Sequence, residues 1–386
     1  MKSHRAHRSL RWAAVYVLVA VTAAAGGLVL RSAAVKAQPQ QVARIEPAPA
    51  PVHKAIVGPE DPLITLLRSA TVLAPRSHGD LTLFPVTVSY AADFGPVLTM
   101  DEGLNRGLLA IKEVGAGSVN ELNAANLSDS YVFLMASEMV GGAKQDRTIG
   151  EDVLLAPHTT VRLPVYCVEA HRWSAAPPDE GFYAPAAALT APVRRAARLQ
   201  RDQSAVWSEV AREQARLEAP SATGALKSVY ESADVQARLK PYTEALANVP
   251  GAAPNVIGVV VAAGGRIVCA DLFYRPDLFR RLWPKLLASY AADVLGKPSG
   301  RKPVTIGDAE GFLGRLYHAQ RRRESTPGVG YGTRLSGAGV SGSALVYQRS
   351  VVHLEVFPGV EILPEPVEVR PLDLNFRRQR LEGPGE

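Results

Sequence analysis

Residues 256–273 read VIGVVVAAGGRIVCADLF, and RPDLFRRLWPKLLASY follows at 275–290. The first seven positions, 256–262, are almost wholly apolar, which predicts a strand buried on both faces. Gly264 and Gly265 supply the two positive-φ positions of a tight hairpin turn. The chain then returns through a second strand at 266–273. Pro276 suits the first turn of a helix, where its missing N–H costs nothing. Leu278, Leu282, Leu286 and Tyr290 fall on one helical face, and Pro284 is expected to kink or divide the helix. A buried hairpin followed at once by an amphipathic helix decides the class: a sheet covered by helices.

Working outward, LTLFPVTVS at 81–89 reads as a strand with Phe84, Val86 and Val88 on one face. Pro85 cannot donate to a ladder, so an edge position is expected. Thr99-Met100-Asp101-Glu102 has the form of a capping box, followed by Leu104, Leu108 and Ile111 at helical spacing. Residues 131–136 and 159–168 read as strands, and Gly141-Gly142 as a turn or bulge. Residues 174–254 are rich in Ala, Arg, Gln and Glu. A helix is expected from Gln203 to Leu217, and another, capped by Ser232, carries Val235, Leu239, Tyr242 and Leu246 as its apolar stripe. Two final strands, 344–347 and 351–357, flank a short turn. Strands, then helices, then hairpins indicate an α+β fold with mixed or antiparallel sheets and a helical layer, rather than a doubly wound one.

Six of the 43 Lys and Arg residues lie within residues 1–37, which contain no acid; the rest of the chain balances 37 basic against 37 acidic groups. A neutral body excludes generic nucleic-acid binding, which needs a basic surface. Lys2, Arg5, Arg8 and Arg11 precede an apolar run at 12–30. That order reads as a signal peptide or a membrane anchor, with the remainder on the periplasmic or extracellular side. The expected organisation is a leader (1–37), a Pro/Ala-rich linker (38–60), one α+β domain (61–357, helical over about 186–248) and a C-terminal tail (358–386). Cys167 and Cys269 read as two buried thiols, with a disulfide as the alternative.

The polar residues concentrate in SEMVGGAKQDRTI (137–149) and PVYCVEAHRW (164–173). If 163–171 is extended, Cys167, Glu169 and His171 share a face. That trio would suit nucleophilic catalysis or metal binding, but no paired Cys or His motif supports a metal site. A recognition reading uses Arg147 and Arg172 as forks for carboxylate or phosphate, Trp173 for stacking, and Gln145 and Glu169 for hydroxyl groups. The structural alternative pairs Glu169 with Arg147 or Arg172 to fix strand register. Asn126-Leu127-Ser128 fits a glycosylation sequon. The glycine-rich 326–343 reads as a surface loop, Arg321-Arg322-Arg323 as a solvated helix end, and His353 as a satisfied sheet histidine.

Gly141, Gly142, Gln145 and Arg147, followed by Cys167, Val168, Glu169, Arg172 and Trp173, resemble the pattern of the ARG and rhodanese-phosphatase-superfamily-associated domain family. The likeness continues through Gln203, Trp207, Gly265, the DLF string at 271–273, and Trp283, Lys285, Leu286 and Tyr290, over roughly 78–357. The resemblance implies a link to ADP-ribose or related phosphosugars. It implies no established activity, and His171 falls outside its pattern; no cofactor is expected.

Three expectations follow. The first is an exported or membrane-tethered domain that binds a small anionic sugar- or nucleotide-like ligand through Gln145, Arg147, Glu169, Arg172 and Trp173. The second is a hydrolase of a phosphosugar or glycosidic bond, with Glu169 or Asp271 as acid or base, or Cys167 as nucleophile. The third is a non-catalytic envelope protein whose motif residues hold the sheet together.

Overall fold

The computed structural model describes residues 61–89, 91–115, 117–172, 181–185, 188–297 and 302–359. The leader, the linker, the tail beyond 359 and Trp173 lie outside the described residues. Among those described, no helix is long and apolar enough to cross a membrane.

The architecture is α+β. Its spine is a nine-stranded antiparallel sheet. The central hairpin forms as the sequence predicts: Val256–Ala263 is buried throughout and pairs with Arg266–Phe273. Gly264 (φ +57°) and Gly265 (φ +73°) make the turn. Gly258 has a second requirement, because a Cβ there would lie 1.9 Å from the Asp271 carbonyl oxygen. From this hairpin the sheet extends one way through Ser350–Pro358, Val340–Tyr347, Tyr331–Gly337 and Gln320–Glu324, and the other way through Leu81–Val88.

Leu81–Val88 is an interior strand, which corrects the edge expectation. It pairs with Val256–Ala263 on one side and with the short strands Ala70–Val72 and Arg76–His78 on the other. Pro85 is accommodated because that outer neighbour is interrupted opposite it. Leu73 N–H donates to the Pro85 carbonyl at 2.8 Å. In an antiparallel ladder a residue's N–H and C=O point to the same neighbour, so the missing donor faces the interruption.

The glycine-rich stretch is no loop, since it builds Tyr331–Gly337 and part of Val340–Tyr347. Arg321, Arg322 and Arg323 lie on the edge strand Gln320–Glu324 rather than at a helix end. The capping box at Thr99 and Glu102 is present, but its helix, Met100–Asn105, stops after six residues. Gly107 (φ +65°) ends it, and Ile111 lies in the strand Leu109–Glu113.

One sheet face packs on Gln203–Arg216, Ala233–Ala245 and Pro276–Ala292, which runs on through Pro284 as one helix. Ser232 takes the N-cap position without a side-chain capping bond. The other face packs on Pro62–Ser69 and Ile306–Gly314. Residues 89–255 form a long excursion between two adjacent strands. Besides the helices, that excursion carries a three-stranded sheet (Val153–Leu155, Tyr131–Leu134, Val97–Thr99). A six-stranded sheet joins Phe182–Tyr183, Met139–Gly142, Arg147–Ile149, Thr160–Cys167, Glu121–Asn126 and Leu109–Glu113. Asn126 is buried, and its amide donates to Ser130 O and Ala156 O at 2.8 and 2.9 Å, so the sequon is closed to modification.

Candidate functional site

The two polar strings meet. Thr160–Cys167 pairs with Arg147–Ile149, setting Cys167 opposite Arg147. Beyond the strand the chain turns, and Glu169 becomes the hub of a latch. Its Oε2 accepts from Arg172 Nε at 2.8 Å and from Asp146 N–H at 3.2 Å. Its backbone oxygen accepts from Gln145 Nε2 at 2.9 Å. Arg172 also reaches the Ala143 carbonyl at 3.0 Å and Asp146 Oδ1 at 3.2 Å. Burial works to raise the Glu169 pKa, but the Arg172 bonds outweigh it and hold the group below its ordinary value. Arg147 is fully buried, Gln145 and Glu169 nearly so, while the Arg172 side chain keeps 32 % of its surface exposed. Of the predicted recognition set, the described part is therefore packed together, with Arg172 alone facing water.

The Cys167, Glu169 and His171 trio does not assemble. The strand ends at Cys167, whose Sγ donates to the Glu169 backbone oxygen at 3.1 Å, and His171 is exposed. Burial raises the Cys167 pKa and keeps it a thiol. Cys167 and Cys269 are both free and buried. Cys167 has a further role. Its N–H donates to Gln203 Oε1 and its carbonyl accepts from Gln203 Nε2, both at 2.8 Å. This amide pair ties the motif strand to the start of the helix Gln203–Arg216.

Next to that tie lies a polar network that the sequence reading missed. Arg194, on the helix Ala191–Arg195, bonds Asp271 and, at 2.7 Å, Glu355. His353 sits between Asp152 (3.0 Å) and Asp271 (3.3 Å). Arg198, on the π-helical turn Ala196–Gln200, donates to Ser343 Oγ at 2.6 Å. The Tyr290 hydroxyl donates to Asp271 Oδ2. All these groups are buried. Three cations, Arg194, Arg198 and His353, face three carboxyls, Asp152, Asp271 and Glu355. Burial opposes charge on His353, yet the two aspartates raise its pKa to about 9. Burial also works against the Asp271 carboxylate, but Arg194 and His353 hold its pKa well below the usual range. Burial raises Glu355.

The network has a geometric continuation. Asp271, Glu355, Ser343, Arg334 and Arg322 are successive register partners across five strands, so they share one face. The row runs from the dry centre to the sheet edge. At that edge three arginines from three elements surround Glu324. Arg201 bonds its Oε2 at 2.5 Å, and Arg322 and Arg334 bond its Oε1 at 2.6 and 3.1 Å. The three arginine side chains are 43, 65 and 24 % exposed. Arg201 ends the π-helical turn in the left-handed region at φ +54°, two residues before Gln203. Burial pushes the Glu324 pKa up, but the Arg201 bond, with Arg334 and Arg322, brings it below the ordinary value. Tyr166 lies within electrostatic reach of Arg201 and Arg334, and Glu151 of Arg201; burial raises the pKa of both.

The signal for the buried network was present. His353 and Glu355 alternate within the apolar strand VVHLEVF, as Cys269 and Asp271 do in RIVCADLF. Two charged groups on one face of a buried strand need partners, and the arginines of 194–201 were the available ones. The edge cluster had no local signal, because its members come from residues 201, 322, 324 and 334.

Residues 69–357 match the family described as ARG and Rhodanese-Phosphatase-superfamily-associated Protein domain, and the chain belongs to that family. No curated protein and no solved structure matches it.

Proposed function

We propose that this member of the family is an exported or membrane-tethered binding domain for a polar anion of the sugar-phosphate or nucleotide kind. The ligand is held at the arginine mouth formed by Arg201, Arg322 and Arg334. The observation that carries this reading is the convergence of three guanidinium groups from separate elements on one carboxylate at the protein surface. Planar forks at such spacing recognise phosphate and carboxylate oxygens through charge-assisted bonds. The family motif supports the mouth indirectly: Gln203 ties the motif strand to the segment that presents Arg201. The basic, apolar leader supports tethering, and the implied link to ADP-ribose-related phosphosugars supports the ligand class.

Two features favour binding over hydrolysis. Glu169 and Asp271, the carboxylates suited to acid or base work, are both buried and paired with arginine. Their depressed pKa values are those of ion-pair partners rather than of a proton donor near neutrality.

Thermal-shift measurement of the purified chain against a panel of phosphosugars and nucleotides tests the proposal. At least one should raise the Tm of the wild type, and Arg334→Ala should abolish that rise. No stabilisation by any compound, or an equal response from the variant, removes the reading.

A further inference from the structure

The arginine mouth already contains an anion, the protein's own Glu324. We infer that Glu324 is an internal occupant which a ligand must displace, and that the mouth therefore selects a phosphomonoester dianion over a phosphodiester or carboxylate monoanion. This inference rests on the binding reading above and adds the chemical class of the ligand.

The geometry gives the reasons. Glu324 accepts from all three guanidinium groups, so a ligand anion must compete for the same donors. The residue ends its strand, Gln320–Glu324, which is the outermost of the sheet. Its carboxylate can swing to water by side-chain rotation without opening a ladder. A monoanion entering the mouth replaces one negative charge by another and gains little. A phosphomonoester brings −1.5 to −2 at neutral pH and three strong acceptor oxygens. With Glu324 swung out the three arginines present a charge of +3, which a dianion offsets more fully than a monoanion does. Each guanidinium has five N–H donors. The contacts to Glu324 use one donor each, and Arg334 gives a second to the Leu199 carbonyl at 3.2 Å. Donors therefore remain for three oxygens. The prediction separates members of the implied ligand class: a terminal phosphate fits the mouth, whereas ADP-ribose, with its diphosphate internal, does not.

The experiment compares adenosine 5′-monophosphate with adenosine 3′,5′-cyclic monophosphate, which share a base and differ in phosphate charge. Binding to the full chain in detergent is measured by calorimetry for the wild type, Glu324→Gln and Glu324→Ala. Both variants are checked by circular dichroism, and either suffices if the other fails to fold. The wild type should bind the monoester at least tenfold more tightly than the cyclic diester. Removing the carboxylate removes a cost common to both ligands and should strengthen binding of the diester, like that of the monoester, by at least tenfold. Equal wild-type affinities, or variants that bind the diester no better, overturn the inference while leaving the binding site in place. Absence of binding of either nucleotide to wild type and variants alike removes both.

Discussion

His353 is a buried imidazole with a carboxylate on each ring nitrogen, Asp152 at 3.0 Å and Asp271 at 3.3 Å. Burial alone would make it neutral. The two aspartates reverse that and raise its pKa to about 9, so it is folded into the core as a cation. The sign of the linkage follows. The folded pKa lies above the ordinary value of 6.5, so the native state holds this proton more tightly. The stabilisation is fully present below about pH 6.5, declines as pH rises, and is lost through about pH 9. A displacement of that size corresponds to about 3 kcal/mol. Asp271 works in the opposite sense: its pKa is depressed, so its contribution is present above about pH 4 and is lost as pH falls below that. Urea unfolding at pH 6 and pH 9.5 should show the wild type markedly weaker at the higher pH. His353→Gln, which cannot titrate, should be destabilised at pH 6 and show a much smaller drop between the two conditions. Parallel pH profiles for the two proteins would mean that the histidine is neutral in the fold.

At the scale of elements, the legible parts were those whose signal is local. The hairpin at 256–273 carried its own apolar run and two-glycine turn, and the helix Pro276–Ala292 its own stripe, so both could be read directly. Pro85 was misread because its setting depends on a break in a partner strand that no local pattern reveals. The helix after Thr99 was overextended because Leu104, Leu108 and Ile111 keep helical spacing by coincidence, while Gly107 breaks the backbone. In the candidate site, the pairing of Glu169 with Arg172 was legible as a structural option, beside Arg147 as the other partner, because the charged groups crowd into two short strings. The role of Gln203 was not, since its partner lies 36 residues away. That residue gives the prediction for this scale. Gln203→Ala leaves the buried N–H and carbonyl of Cys167 without their partner, at a cost of about 2 kcal/mol. It also frees the turn that presents Arg201. Chemical denaturation should register the loss of stability, and nucleotide affinity should fall although the Gln203 amide is bonded to the Cys167 backbone. Unchanged affinity in a folded variant would show that Arg201 is positioned without this tie.

For the whole molecule, the decisive fact is that Leu81–Val88 and Val256–Ala263 are neighbours in the sheet while 89–255 lie between them in sequence. Such an excursion needs attachment beyond its two ends. The buried network provides it, because Arg194, Arg198 and Asp152 belong to the excursion, whereas Asp271, Ser343, His353 and Glu355 belong to the sheet. Every polar contact between the two sets is a cross-link between parts of the chain that fold at long range. A hydrophobic interface of the same size could give similar stability, but the paired charges also specify one register of excursion on sheet. Arg194→Met should therefore act on both parts at once. It strands Asp271 and Glu355 in the core without their guanidinium, a loss of about 3–5 kcal/mol. Adding Glu355→Gln to Arg194→Met removes one of the stranded carboxylates and should recover part of that loss. Urea unfolding followed by tryptophan fluorescence and by far-ultraviolet circular dichroism gives the readout. The two probes should coincide in the wild type, and the single variant should unfold at lower urea by both. An Arg194→Met protein as stable as the wild type would mean that apolar packing alone holds the excursion on the sheet.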